Sequence, residues 1–136
     1  MIRGIGVDLA SSDRVLRLYT LYGARFLAKA YHPTEVCSLA ALSEAARGPF
    51  LASRWAVKEA LHKALGTKRL LFPDIEISRG PRGQAPPALV LHNAAADYQR
   101  EQGLALHMTL SHEKNMVVAV VVATTTLPAA AAAAAD

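Results

Sequence analysis

The sequence contains few of the features that mark secreted or membrane proteins. Its only cysteine is Cys37, so neither an intrachain disulfide nor a cysteine-based zinc site can form. The longest unbroken apolar run, Met116 to Ala123, is far shorter than the ~20 residues that cross a bilayer. Charged residues and glycines interrupt the N-terminal segment, which excludes a signal peptide. We therefore expect a cytoplasmic protein with no membrane contact, although a mitochondrial or other organellar location fits the same features.

Aromatic residues and a strong charge of either sign are also scarce. Aromatics make up 6% of the chain, and the formal net charge is +4. Few aromatics lie beside basic residues, so we expect no base-stacking surface for nucleic acid. No Walker A loop is present, and Gly4-x-Gly6 has no third glycine before a helix, which excludes the common nucleotide-binding folds. The mild basicity favours an acidic or phosphate-bearing partner.

The length of 136 residues suits one domain. We assign that domain to residues 1–126, because periodic segments continue to that point. Residues 127–136 are an alanine-rich tail without a polar period, and we interpret the tail as disordered or dispensable.

The periodicity predicts a domain of the α/β (α+β) class, in which a curved antiparallel sheet packs on a long helix. The long helix runs from Pro49 to Leu65, and Gly66 ends it. It carries the polar residues Arg54, Lys58, Glu59, His62 and Lys63. Shorter helices are predicted after Ser11, from Pro33 and from Asn93; strands are predicted at residues 2–7, 75–78, 89–91, 104–111 and 117–122.

Two carboxylates and a lysine are candidates for chemistry. Glu59 and Lys63 share a helix face, and Asp8 ends a glycine-flanked strand. The simpler interpretation is a solvated ion pair and a turn residue. Alternatively, Asp8 and Glu59 form an incomplete oxygen site for Mg²⁺, with Lys63 close to phosphates bound there.

A second group of residues suits a phosphate monoester. His107 and Ser111 share one strand face, and Arg54 offers a planar fork of donors. A lone strand histidine is more often structural, and Gly83 and Pro86 are ordinary turn residues unless a ligand lies over the turn.

Several segments together resemble the holo-[acyl-carrier-protein] synthase family, whose members are 4′-phosphopantetheinyl transferases. The resemblance covers roughly residues 1 to 124. It rests above all on Gly4 to Asp8 and on the block from Phe50 to Thr67, although Lys68 replaces a glycine usual in the family. The segments Asp74 to Ile77, Gly83 to Pro86 and His107 to His112 match later blocks in the same order.

The resemblance implies transfer of the phosphopantetheine arm from coenzyme A to a serine of apo acyl carrier protein, which releases adenosine 3′,5′-bisphosphate. Asp8 and Glu59 would hold Mg²⁺. Glu59 would accept the serine proton, directly or through a metal-bound water, and Lys63 would balance charge on the leaving phosphate or protonate it. The coenzyme A site would comprise Arg54, His107, Ser111, Gly83 and Pro86. The carrier protein would contact Arg14, Arg17 and Arg25.

The resemblance also suggests a homotrimer with active sites at subunit interfaces. Two other classes of function stay open at this point. One is a non-catalytic basic module that binds an acidic protein or RNA, and the other is a purely structural trimer.

Overall fold

The computed structural model describes residues 1–79 and 85–126, and none of the helices in those ranges is both long enough and apolar enough to span a bilayer. Five strands and five helices are described, together with a 3-10 turn at Phe72–Asp74. Their bounds are β1 Ile2–Ser11, α1 Ser12–Tyr22, α2 Ala24–Ala30, α3 Pro33–Ala40, α4 Glu44–Leu65, β2 Ile75–Ser78, β3 Ala88–Leu91, α5 Asn93–Glu101, β4 Leu104–Glu113 and β5 Met116–Thr125.

The main sheet has three antiparallel strands in the order β1-β5-β4, and β2 and β3 form a separate antiparallel pair. The β-branched strand β5 occupies the centre, where side chains of this type pack well on a pleated surface. Val121 of β5 lies opposite Gly6 on one side and Met108 on the other. The mixed class and the antiparallel sheet packed on a long helix are confirmed, and the sheet is open in residues 1–79 and 85–126.

Helix α4 packs directly on β1 because two glycines remove the side chains between them. A Cβ added to Gly4 would lie 1.8 Å from the carbonyl oxygen of Ala64, and one added to Gly6 would lie 1.8 Å from that of Ala60. No other residue permits so close an approach. The contact fixes the register of β1 against α4, and therefore the position of Asp8, which follows on the same face of the strand.

The two faces of the main sheet differ in burial. On the side facing α4, Val121 and Ala119 of β5 are fully buried. On the opposite side, Ile5 is 61%, Val7 52% and Leu9 63% exposed, and the neighbouring valines of β5 are half-buried. One chain therefore leaves a broad apolar surface uncovered.

Several predicted boundaries were wrong. Helix α4 begins at Glu44 instead of Pro49, so Pro49 lies inside the helix, in its second turn. Helix α2 was missed, and β1 continues to Ser11. Helix α5 begins at Asn93, as predicted; His92 occupies the cap position, and the Asn93 side chain donates to Asp74. The predicted tail, residues 127–136, lies outside the described residues.

Candidate active site

Lys63 and Asp8 meet where α4 crosses β1. The Lys63 ammonium donates to Oδ1 of Asp8 and to the carbonyl oxygen of Val7, both at 2.9 Å. Side chains on a helix lean toward its N-terminus, so Lys63 reaches back along α4 to Val7 and Asp8, which follow Gly6 on β1. The Asp8 side chain is 16% exposed and that of Lys63 is 54% exposed, so the pair lies at the edge of open solvent.

Glu59 lies one turn before Lys63 and is half-buried. Within the described ranges, the hydrogen bonds of the Lys63 ammonium go to β1 and not to Glu59, so the simple i,i+4 ion pair does not describe this lysine. Asp8 lies on β1 and Glu59 lies on α4, and the packing of Gly4 and Gly6 on α4 holds these two elements together. Two carboxylates on adjoining elements suit a hard divalent ion, because Mg²⁺ prefers oxygen ligands and keeps some of its water.

A second lysine of α4 has the opposite environment. Lys58, expected on the polar face, is completely buried and donates to Oε2 of Glu35 at 2.6 Å and to the Ala30 carbonyl at 2.8 Å. Burial lowers the pKa of Lys58 to about 8, and Glu35 partly offsets that effect. The other oxygen of Glu35 accepts from the backbone N–H of Ile77. This pair joins α3, α4 and β2, and sequence spacing gave no sign of it.

Arg54 lies in a separate cleft of about 340 Å³ with Phe50, Arg79 and His112 among its lining residues. Its guanidinium stacks on the Phe50 ring at 3.6 Å. Burial lowers the pKa of Arg54 to about 10; Glu35 counters the shift and Arg79 adds to it. The Nε of Arg54 is buried without a hydrogen-bond partner in the described part of the chain. The guanidinium of Arg54, in a cleft that Arg79 and His112 also line, suits an anion.

The other predicted coenzyme A residues do not join Arg54 in one chain. His107 and Ser111 lie on the face of β4 turned away from α4, and both are exposed. His107 lies 3.4 Å from the hydroxyl of Thr124 on β5. Pro86 is exposed ahead of β3, and Gly83 falls outside the described residues. His112, which the sequence analysis did not select, is the histidine that reaches the Arg54 cleft.

Arg14, Arg17 and Arg25 are all exposed on α1 and α2. Arg25 also lines a mostly apolar cleft of about 350 Å³; the other lining residues are Tyr22, Phe26, Lys29, Ala30, Trp55 and Phe72. Exposed cations around an apolar cleft suit a partner that carries acidic and apolar side chains on one surface.

Comparison with known proteins gives a consistent result. The profile of the 4′-phosphopantetheinyl transferase superfamily matches residues 4–121. A holo-[acyl-carrier-protein] synthase of Nitratidesulfovibrio vulgaris is 40% identical over 123 residues, which cover 88% of this chain and 95% of that protein.

Solved structures agree with that match. The crystal structure of holo-[acyl-carrier-protein] synthase from Neisseria meningitidis superposes with a TM-score of 0.82 at 31% identity, and the alignment covers 92% of this chain and 100% of that one. The Bacillus anthracis synthase in complex with CoA (3′,5′-ADP) has a TM-score of 0.75 and 29% identity, with 93% and 99% covered.

Proposed function

The chain belongs to the holo-[acyl-carrier-protein] synthases of the 4′-phosphopantetheinyl transferase superfamily, and we propose that Asp8, Glu59 and Lys63 form its catalytic group. The reaction moves the 4′-phosphopantetheine arm of coenzyme A to a serine of apo acyl carrier protein and releases adenosine 3′,5′-bisphosphate. The observation that carries the assignment is the Lys63–Asp8 contact, which the packing of Gly4 and Gly6 on α4 creates.

In this proposal Asp8 and Glu59 hold Mg²⁺. The carboxylates fit the ion because they are hard oxygen ligands on two elements that pack directly together. When bound, Mg²⁺ would neutralise charge on the coenzyme A diphosphate.

The protein's own residues account for the movement of protons and charge. The serine oxygen attacks the β-phosphorus in line, and the bond to the bridging oxygen breaks. Glu59 accepts the serine proton. Lys63 faces the leaving phosphate and balances or protonates it, and its hydrogen bond to the Val7 carbonyl helps to orient the ammonium.

Arg54 binds the 3′-phosphate in this proposal. Its buried Nε, which has no hydrogen-bond partner in the described residues, supports that role. His107, Ser111, Gly83 and Pro86 remain proposed coenzyme A contacts, but one copy of the chain does not bring His107 and Ser111 to Asp8 or to Arg54. We therefore propose that the site is completed between subunits of a homotrimer.

The uncovered sheet face supports this assembly. Val7 and its neighbours on β1 form an exposed apolar surface next to the half-buried valines of β5, and a second copy would bury it. In analytical ultracentrifugation we expect a trimer that Val7→Lys dissociates. Leu21→Lys, which changes an exposed leucine of α1, should leave the assembly intact. A monomeric unsubstituted chain would contradict this part of the proposal.

Arg14, Arg17 and Arg25 face the carrier protein in our proposal, because their exposed guanidinium groups can steer an acidic helix to the site. A cytoplasmic location, where both substrates would be available, is part of the same proposal.

The function is tested by the mass of apo acyl carrier protein after incubation with coenzyme A, Mg²⁺ and the full chain. We expect the carrier to gain the mass of the phosphopantetheine arm, and a chelator to abolish the gain. A carrier whose acceptor serine is replaced by alanine is the control. No mass gain in the complete mixture would refute the proposed transfer.

A further inference from the structure

Two histidines and a glutamate form a cluster on elements outside the proposed catalytic group. His32 occupies the N-cap of α3, Glu76 lies on β2, and His92 lies between β3 and α5. Nε2 of His92 is 2.8 Å from Oε2 of Glu76, and Nδ1 of His32 is 3.8 Å from the same oxygen. One ligand atom from each residue falls within 4.8 Å of the other two.

We propose that His32, Glu76 and His92 bind a divalent transition-metal ion, with Zn²⁺ as the best match. Two imidazole nitrogens and one carboxylate favour Zn²⁺, Co²⁺ or Ni²⁺ over Mg²⁺, which prefers an all-oxygen site. Ligands at about 2.1 Å from a tetrahedral ion are roughly 3.3 Å apart, and the two distances to Glu76 lie on either side of that value. A water would complete the coordination.

Binding would rearrange the two imidazole rings. Nδ1 of His32 accepts a hydrogen bond from the backbone N–H of Thr34 at 3.2 Å, so its single lone pair would exchange this N–H for the ion. The two imidazole rings stack with centroids 4.2 Å apart and planes 17° apart. A metal ion lies close to the plane of each imidazole that ligates it, so the two rings would turn out of this stack about their side-chain bonds.

The backbone already holds the three residues in place. The capping box of α3 fixes His32, because Glu35 accepts from the His32 backbone N–H. The His92 backbone N–H donates to the Asp74 carbonyl at 2.8 Å. Glu76 of β2 pairs with Val90 of β3 in the antiparallel ladder. The ion would replace the proton shared by His92 and Glu76, and it would tie α3 to the β2–β3 pair.

The test is a titration of the full chain, freed of transition metals, with Co²⁺ and Zn²⁺ in the presence of excess Mg²⁺, which occupies the proposed Asp8–Glu59 site. We expect one Co²⁺ per chain with a visible absorption band, displacement of Co²⁺ by Zn²⁺, and a higher melting temperature with Zn²⁺. His92→Asn and Glu76→Gln should each weaken binding at least tenfold. His32→Asn should do the same, and it keeps a good N-cap residue, so its fold is preserved.

Two controls separate this site from others. Cys37→Ser removes the exposed thiol, and Glu59→Gln alters the proposed Mg²⁺ site; both should bind Co²⁺ like the unsubstituted chain. The proposal is overturned if Cys37→Ser abolishes binding, if Co²⁺ does not saturate at one ion per chain, or if Glu76→Gln and His92→Asn, with unchanged melting temperatures in the absence of metal, bind as tightly as the original chain.

Discussion

Helix α4 carries two lysine–carboxylate pairs that are one and a half turns apart and differ in almost every physical respect. Lys58 meets Glu35 at 2.6 Å with both side chains nearly or fully buried. Lys63 meets Asp8 at 2.9 Å with more than half of the lysine side chain exposed. The buried pair is closed off from solvent, whereas the exposed pair lies at the protein surface, where our proposal brings a phosphate to Lys63. Position on the helix therefore separates a buried structural lysine from the lysine that we propose acts in catalysis.

The cause lies in what each face of α4 packs against. Lys58 points into the space among α3, β2 and the end of α2, where Glu35 and a backbone carbonyl satisfy its ammonium. Lys63 points along β1, whose glycines bring the strand close enough for Asp8 to meet it at the protein surface. The comparison predicts that changes at Lys58 affect stability first and changes at Lys63 affect catalysis first.

The largest expected effect is on stability, from Lys58→Met. Removing one partner leaves the Glu35 carboxylate buried without its cation, which should cost about 3–5 kcal/mol of unfolding free energy. Urea denaturation measures this loss. The double variant Lys58→Met with Glu35→Gln should recover part of it, since no buried charge remains, but one of the two backbone N–H groups facing residue 35 loses its acceptor.

A loss below about 1 kcal/mol in the single variant, or a double variant less stable than the single one, would show that the pair is not the stabilising unit described here.

The next effect is on catalysis, from Lys63→Met. We expect the transfer rate to fall on the order of 100-fold, because the leaving phosphate loses its cation. The unfolding free energy should change by less than about 1 kcal/mol, as for other exposed pairs. Steady-state kinetics and denaturation of the same preparation measure both quantities. A stability loss as large as that of Lys58→Met would remove the distinction between the pairs.

The smallest effect is the pH dependence of stability that Lys58 confers. Its pKa is about 8 in the folded chain and 10.5 in the unfolded chain, so between these values the unfolded state binds more protons and stability rises with pH. From pH 7.5 to 9.5 we expect a gain on the order of 1–2 kcal/mol. The double variant at positions 58 and 35, with neither charge, should lack this gain.

Above pH 10 an opposite contribution begins, because burial raises the pKa of Tyr31 and the unfolded state then ionises first. A flat profile for the unsubstituted chain between pH 7.5 and 9.5 would contradict the lowered pKa of Lys58.

Local patterns predicted much of the fold. The alternation of apolar and polar residues predicted β4, and the β-branched run predicted β5. Gly66, which has a positive φ, ends α4 at the predicted position. Helix α2 has only seven residues and is too short to show a helical period in the sequence. Contacts between distant segments were beyond the sequence, because 23 residues separate Glu35 from Lys58 and no pattern along the chain connects them.

The same distinction applies to the candidate site. Motif blocks led to Asp8, Glu59, Lys63 and Arg54, and the structure adds the glycine contact that places Asp8 beside Lys63. It also adds His112 to the Arg54 cleft, because the twofold alternation of β4 puts His112 and Ser111 on opposite faces. Sequence order alone did not decide which of these neighbours faces α4.

We propose that Asp8 and Glu59 act together at the α4–β1 contact. The most direct test is the mass of the carrier protein after incubation with the Asp8→Asn or the Glu59→Gln variant. Both variants keep the size of the side chain and remove its charge. With coenzyme A and Mg²⁺ in excess, we predict complete conversion of apo carrier by the unsubstituted chain and none by either variant at an unchanged melting temperature. Conversion at the original rate by both variants would contradict the account.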